Sequence, residues 1–594
     1  MLVVTKILGL LTPSELKRLW LLIAMMIVMA ILDMTGMASI VPLMGVLADP
    51  KFIENNIILK STYNILGFTD YRQFIPLLCG LVLFLLVITT IFKALTIYMQ
   101  VKFAMMREYS FSKRLVEGYL HQPYIWFIDH HSAELGKTIL SEVTGVIGNA
   151  LNPLLSLISQ SAVAIAILTL LLLVDLKLAL TIGVVIAIAY GLIMKLTGGY
   201  IRRIGKERLK ANEERFTSIF EAFGAAKEVK IGGLEQAYIR RFSKPAYLYA
   251  KHATTAAITQ SLPRLLLELI AFGGILLIIL LNSDDKSMSS ILPIISLYAV
   301  AAYRLMPAMQ QIYSSITKLR FSEACVDTLY RDLVKLKYNI SPNTEKKVMV
   351  LKKFIELEGL NFSYPNVDEP ALKNLNLKIP AYSRVAFVGA TGSGKTTIVD
   401  LILGLLTPEA GTVSVDGQVI DGSNSRAWQN AIGYVPQHIY LSDESIKSNI
   451  AFGINPEQID MQAVEQATKI AGLHKFVKKE TPKGYDTVVG ERGVRLSGGQ
   501  RQRIGIARAL YHQPKVLILD EATSALDNLT EEAVMQAMNN LKQNVTLILI
   551  AHRLTTVQKC DLIFLLEKGQ VRAKGTYEEL QRSSKTFQKM TQPM

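Results

Sequence analysis

The chain is 594 residues long, 50% hydrophobic and only 19% charged, with a mean hydropathy of +0.30. A soluble protein carries about 25% charge, so this balance excludes a wholly soluble chain, and equally a disordered, collagenous or disulfide-stapled one. Lys and Arg number 64 against 49 Asp and Glu, a formal +15; beside membrane spans that surplus is cytoplasmic, and no nucleic-acid partner is expected.

In chain order, Met1–Leu11 is apolar but too short to cross a bilayer and stops at Thr12-Pro13. Residues 1–18 therefore read as an interfacial helix. Six apolar runs follow: Leu19–Leu47, broken only by Asp33; Phe74–Phe92; Val143–Val174; Leu178–Met194; Ile258–Asn282, holding Arg264 and Glu268; and Ile291–Tyr303, continuing past Arg304. With its flanks, each reaches the roughly 20 residues that cross a bilayer. The pattern predicts six transmembrane helices within 19–335.

Segments 93–142 and 195–257 are long and basic, whereas 175–177 and 283–287 are short. The long ones and both termini are expected in the cytoplasm. From Leu81 to Glu117 there is neither Pro nor Gly, so a single helix there would be a rod of roughly 56 Å. The second, fourth and last spans are expected to project from the membrane, with turns near Gln122-Pro123 and Gly232-Gly233.

Charges inside spans are costly and face cavities or partners: here Asp33, Lys93, Lys195, Arg264, Glu268 and Arg304. Arg264 and Glu268, four apart, either pair with each other or contact substrate. Lys93 and Lys195 lie near inner span ends, where they can snorkel. Arg304 lacks a sequence-local partner and is the best candidate for an anion contact in a translocation cavity. Basic members outnumber acidic ones, which suits an amphipathic substrate with an anionic head group.

The stretch 336–350 is polar and reads as a linker. Beyond it, over 351–594, short β-rich runs (Arg384–Val388, Thr412–Val415, Val516–Leu519) alternate with helical segments, the pattern of an α/β domain. Strand Arg384–Val388 runs into Gly389-Ala390-Thr391-Gly392-Ser393-Gly394-Lys395-Thr396, then a helix from Thr397. This is a phosphate-binding loop: glycines turn backbone N–H groups inward, and the helix N-terminus favours an anion. Lys395 would reach the β/γ-phosphates and Thr396 would bind Mg²⁺. Further on, Val516–Leu519 ends in Asp520-Glu521, a buried strand presenting an acid pair for Mg²⁺ and for attacking water. Between them, Leu496-Ser497-Gly498-Gly499-Gln500 starts another helix, a second anion-binding N-terminus that one nucleotide does not need.

With those motifs in place the chain resembles an ABC transporter, an exporter-type half-transporter of six spans fused to a nucleotide-binding cassette, and residues 496–500 match that family's signature. The resemblance implies ATP and Mg²⁺ as cofactors, with Thr397 beside the phosphates. It further implies that Tyr364 stacks on adenine, and that Gln437 contacts metal and water. Ser497 and Gly499 would clasp a γ-phosphate held by a second copy, Ser524 and Asp527 would cross a dimer interface, and His552 would meet the γ-phosphate. Every motif position is intact, which favours a homodimer with two hydrolysing sites.

By the same resemblance, the aromatic segment 122–129 and the segment 221–235 are coupling regions between spans and cassette. The stretch Leu10–Arg18, Asp33 and Val41-Pro42-Leu43 also resemble bacterial flippases of lipid-linked oligosaccharides. Those carry a short external helix after the first span, and Phe52–Leu66 is amphipathic enough to form one, with Phe52, Ile53, Ile57 and Leu59 turned toward a lipid tail. The function expected is ATP-driven export or flipping at the bacterial inner membrane, of a lipid-linked oligosaccharide or, with the same engine, of a drug, peptide or other lipid. An ATP-gated channel is the rival outside transport, disfavoured by an intact Glu521.

Overall fold

The computed structural model describes residues 2–48, 52–68, 71–174, 176–281, 288–336, 347–365, 367, 369–521, 536, 545–551 and 554–591. Two units emerge, one of Met1–Gln122 with Trp126–Ile340, the other of Pro123–Ile125 with Ser341–Met594.

The first unit is helical. Helix Leu2–Leu10 breaks at Leu11-Thr12, and Pro13 opens the first long helix, Pro13–Ala38. Thr12 and Glu15 close a capping box there, with the Thr12 N–H donating to Glu15 Oε2 at 2.8 Å, which satisfies backbone donors that a helix start leaves open. Residues 13–18 thus belong to the first long helix, whereas 2–10 form the short apolar helix expected, tied by Lys6 to Asp327 at 2.6 Å.

The uninterrupted rod exceeds its expected length: one helix covers Tyr71–Leu120, 50 residues, or roughly 75 Å. Helices Asn152–Val174, Leu176–Gly224, Glu235–Leu281 and Met288–Phe321 complete six long elements. Both anticipated turns are present: the rod ends just before Gln122-Pro123, and Ala226–Ile231 stops at Gly232, followed by Gly233 at φ 62°.

Among the described residues, three stretches are long and apolar enough to cross a membrane: Pro13–Leu47, Arg72–Leu120 and Ser132–Leu173. The other three expected spans fall on helices whose apolar stretches include side chains outside the described residues. Most of the predicted linker, 337–346, also lies outside them.

The segment Phe52–Leu66 is helical over Phe52–Asn55 and Ile57–Ile65, but Ile53 and Leu59 are not free for a lipid tail. They are buried with Val46, Phe74 and Leu78, and Phe52 packs beside them. The Ile57 side chain lies outside the described residues. A nine-residue amphipathic helix lowers its free energy by covering its own apolar face first.

The second unit contains two sheets. Strands β1 (Phe354–Phe362), β2 (Leu372–Pro380), β4 (Ala410–Val415) and β5 (Gln418–Val419) form an antiparallel sheet in the order β2-β1-β4-β5. Strands β3 (Arg384–Val388), β6 (Ile432–Val435), β7 (Val516–Asp520), β8 (Thr546–Ile550), β9 (Leu562–Glu567) and β10 (Gln570–Gly575) form the other, in the order β10-β9-β3-β8-β7-β6. That sheet is parallel apart from edge strand β10.

Its inner strands β3, β7, β8 and β9 are mostly apolar because both faces are covered, whereas edge strand β10 carries Gln570, Arg572 and Lys574. Val385, Phe387, Ile518, Ile548 and Phe564 face a core shared with the antiparallel sheet and with Ile398 and Ile402. Their neighbours Ala386, Val388, Leu517, Leu519, Leu547 and Leu565 face Ile504, Ala507 and Val464. The side-chain period of two divides one run of residues between two cores.

Candidate functional site

Parallel strands carry their carboxyl ends to one edge of a sheet, where α/β proteins bind ligands. Here β3, β6 and β7 end together, with Val435 paired to Leu519 and Asp520 to Ile550. Gly389 and Glu521 follow directly on these ends, and Gln437 comes two residues after β6.

The loop after β3 turns on Gly392 and Gly394, at φ 79° and 97°, conformations that suit glycine. At Gly389 a Cβ would stand 2.4 Å from the Leu566 carbonyl oxygen and 2.6 Å from Ser393 Oγ, so the loop tolerates no side chain there. Helix Lys395–Ile402 starts at Gly394, its amino end facing the loop. Lys395 is buried and donates from Nζ to the carbonyls of Gly389 at 2.8 Å and Ala390 at 2.9 Å. Burial lowers its pKa, while Glu521 and Asp520 oppose that shift. Ser393 Oγ is buried and without a hydrogen-bond partner among the described residues, whereas Ala390, Thr391, Gly392 and Thr396 are exposed. An orphaned hydroxyl, a buried ammonium and a glycine cradle fit a phosphate chain.

At the end of β7, Asp520 is buried and lies near the Tyr434 phenol. Burial first, then the Asp520 charge, raise the Tyr434 phenol. Glu521 adopts φ 49°, left-handed for a residue with a side chain, a strain typical of functional positions. Its N–H donates to the Ile550 carbonyl at 3.2 Å, and its Oε2 accepts from Gln437 Nε2 at 2.7 Å. Gln437 and Glu521, separate motifs in the sequence, are thus one hydrogen-bonded pair. Thr396, Gln437 and Asp520 offer only oxygen donors, the kind that suits Mg²⁺ completed by substrate phosphates.

Tyr364 comes to the same loop. Its ring meets Phe362 edge-on, 5.1 Å between centroids, and its hydroxyl lies 3.1 Å from Thr397 Oγ1. Leu496–Gln500 stands apart: no hydrogen bond among the described residues joins it to 389–397. Ser497 caps helix Gly498–Tyr511, its Oγ accepting from the Gln500 N–H at 3.2 Å while Gln500 Oε1 accepts from the Ser497 N–H at 2.8 Å. The motif is therefore a capping box, which holds Gly498 and Gly499 at a helix start. Ser524, Asp527 and His552 lie outside the described residues.

Of the span charges, Arg264 donates from Nε to Glu268 Oε1 at 2.8 Å, so these two pair. Asp33 lies 3.8 Å from Lys93 across two helices, a pairing that sequence reasoning missed. The Arg304 side chain is outside the described residues. Asp400, on the helix after the loop, was also missed. Burial and, second, Asp520 push its carboxyl up to about 6; an acid inside the apolar run Ile398–Ile402 was the available signal.

Residues 372–524 match the family model described as ABC transporter, and residues 51–301 match that of the ABC transporter transmembrane region. The ATP-dependent lipid A-core flippase of Saccharophagus degradans is 31% identical over 473 residues, 79% of this chain and 78% of its own length. The protein of the same name from Escherichia coli K12 is 32% identical over 393 residues, 66% of each chain. In fold, the chain is similar to a bacterial Atm1-family ABC exporter with ATP bound, with a TM-score of 0.77 over 97% of both chains at 23% identity.

Proposed function

The chain belongs to the ABC transporter family, a membrane protein that binds ATP and couples its hydrolysis to transport, and from that premise we propose that it flips an amphipathic glycolipid with an anionic head group. The observation that carries this cargo is the similarity to lipid A-core flippases, which extends over most of the chain. A lipid-linked oligosaccharide shares that chemistry, an acidic head on an apolar tail, and is the close alternative.

In this reading Lys395 and the N–H groups of Gly389–Thr397 hold the phosphates, with Ser393 Oγ donating to one of them. Tyr364, tethered to Thr397, supports the adenine. Thr396, Gln437 and Asp520 would hold Mg²⁺, which when bound neutralises charge on the β- and γ-phosphates. Glu521 orients the attacking water and takes its proton, with Gln437 holding the carboxylate through the bond described. His552 contacts the γ-phosphate.

Ser497 and Gly499 serve the nucleotide of a second copy, and Ser524 and Asp527 lie where the copies meet, making the working unit a homodimer. The membrane is the bacterial inner membrane, with both termini cytoplasmic, segments 122–129 and 221–235 coupling the halves, and Arg304 facing the head group.

The test is reconstitution in liposomes with lipid A-type and lipid-linked oligosaccharide probes, following both ATP turnover and translocation. One of these glycolipids is expected to stimulate turnover and to cross. Stimulation by neither, with transport of an uncharged drug, would overturn the cargo.

A further inference from the structure

A cavity of about 330 Å³ lies between the first long helix and the rod, lined by Arg18, Leu21, Leu22 and Met25 on one and by Met99, Lys102, Phe103, Met106 and Arg107 on the other. Its volume is at the small end of ligand pockets. The two helices run antiparallel, with Asp33 opposite Lys93 and Glu15 opposite Arg107. Arg18 and Lys102 therefore share a level where both sequences change character: apolar run Leu19–Leu47 begins just after Arg18, and Ala94–Val101 ends just before Lys102. Trp20, 68% exposed, and Tyr98, 59% exposed, stand at the same level. Exposed Trp and Tyr beside basic residues mark a membrane–water boundary.

Three cations line this cavity and no acid does. Glu15, buried behind it, neutralises one, lying 2.5 Å from Arg107 Nη1 and accepting from Ser110 Oγ at 2.8 Å. Arg107 is 5% exposed, and its Nε has no hydrogen-bond partner among the described residues, a costly condition for a buried charged group. Arg18 and Lys102 form no ion pair among the described residues; Lys102 lies over the Tyr98 ring at 5.7 Å. Below the cations the walls are Leu, Met and Phe, continued toward the bilayer by exposed Ile27, Ile31, Ile91 and Leu95.

We propose that this cavity binds the phosphate head group of an anionic glycerophospholipid from the cytoplasmic leaflet, with Arg18 and Lys102 on the phosphate and the acyl chains along the helix pair. A basic rim above an apolar wall recognises a lipid rather than a soluble anion, and its surplus charge selects an anionic head group over a zwitterionic one. The site is independent of the cargo reading and shares no residue with the ATP site.

Native mass spectrometry of the detergent-solubilised full chain tests it, with phosphatidylglycerol, phosphatidylcholine and glycerol 3-phosphate as probes. Phosphatidylglycerol is expected to bind in preference to phosphatidylcholine, and Arg18→Ala with Lys102→Ala to weaken it roughly tenfold. The Arg18→Lys, Lys102→Arg pair should retain binding. So should Lys17→Ala with Lys113→Ala, which removes equal charge elsewhere on the same helices. Three results would each overturn the proposal: equal binding of both phospholipids, equal loss in the control pair, or displacement of the lipid by millimolar glycerol 3-phosphate.

Discussion

The two units distribute polar and apolar groups in opposite senses. In the ATP-binding unit the inner strands of the six-stranded sheet are apolar on both faces, and the chemistry lies at and just beyond their ends, at Gly389, Gln437, Asp520 and Glu521. In the membrane unit large side chains such as Leu83 and Phe84 face outward, while Glu15, Asp33, Arg107 and Glu142 are buried. Glu142 accepts from Asn212 Nδ2 at 2.8 Å and from Cys325 Sγ at 2.8 Å, beside a π-helical turn, Thr138–Glu142. Lipid reverses the usual cost only within the spans: apolar surface such as Leu83 and Phe84 is cheap outside, and Asp33 must find a partner such as Lys93 within. Glu15, Arg107 and Glu142, by contrast, lie beyond the apolar runs and are buried as in any soluble helix bundle. A burial pattern thus reports the solvent as much as the fold.

The contrast can be broken at its polar points. The largest effect is expected from Glu521→Gln at the strand end, where removing the proton acceptor should lower ATP turnover by about 10²- to 10⁴-fold with nucleotide binding retained; phosphate release and nucleotide affinity measure the two. Next comes Glu15→Ala, which strands buried Arg107 without its counter-charge and undoes a helix cap. Breaking a buried pair costs about 3–5 kcal/mol, and thermal unfolding of the full chain in detergent should show it.

Asp400→Asn sharpens the comparison through pH. Because the folded carboxyl titrates near 6 against 3.8 for its ordinary value, folding binds a proton. The stabilisation is therefore complete below about pH 4 and lost as pH rises through 6. At pH 7.5 the Asn variant should be more stable by up to about 3 kcal/mol, with the gap closing on acidification; unfolding midpoints across pH 4–8 measure it. The smallest effect is expected for Lys113→Ala, beyond the apolar runs. Its pair with Glu117 is exposed and spans one helical turn, so the same unfolding measurement should show a change of less than about 0.5 kcal/mol.

How much was legible in the sequence follows the same division. The ATP loop, the acid pair and the signature are contiguous, and each needs only local backbone geometry to be interpreted. What joins them is not local: the Gln437–Glu521 bond depends on β6 and β7 pairing in one register, and the capping role of Gln500 appears only once its helix start is fixed. The antiparallel sheet escaped notice because β1 and β2 alternate exposed and buried residues irregularly around bulges. In the membrane unit the six long helices were visible as apolar runs. The pairs Asp33–Lys93, Glu15–Arg107 and Arg208–Glu142 were not, since each links helices whose alignment no local pattern specifies. The helices expected within Phe52–Leu66 are present, but Ile53 and Leu59 face the protein, because amphipathicity says that a face is covered and not by what.

The unbroken helix Tyr71–Leu120 has a mechanical consequence. At roughly 75 Å, a tilt of about five degrees displaces its far tip by roughly 6.5 Å, more than one 5.4 Å helical pitch. An angular change too slight to disturb side-chain packing at one end becomes a full register step at the other, so geometric amplification needs no hinge inside the helix.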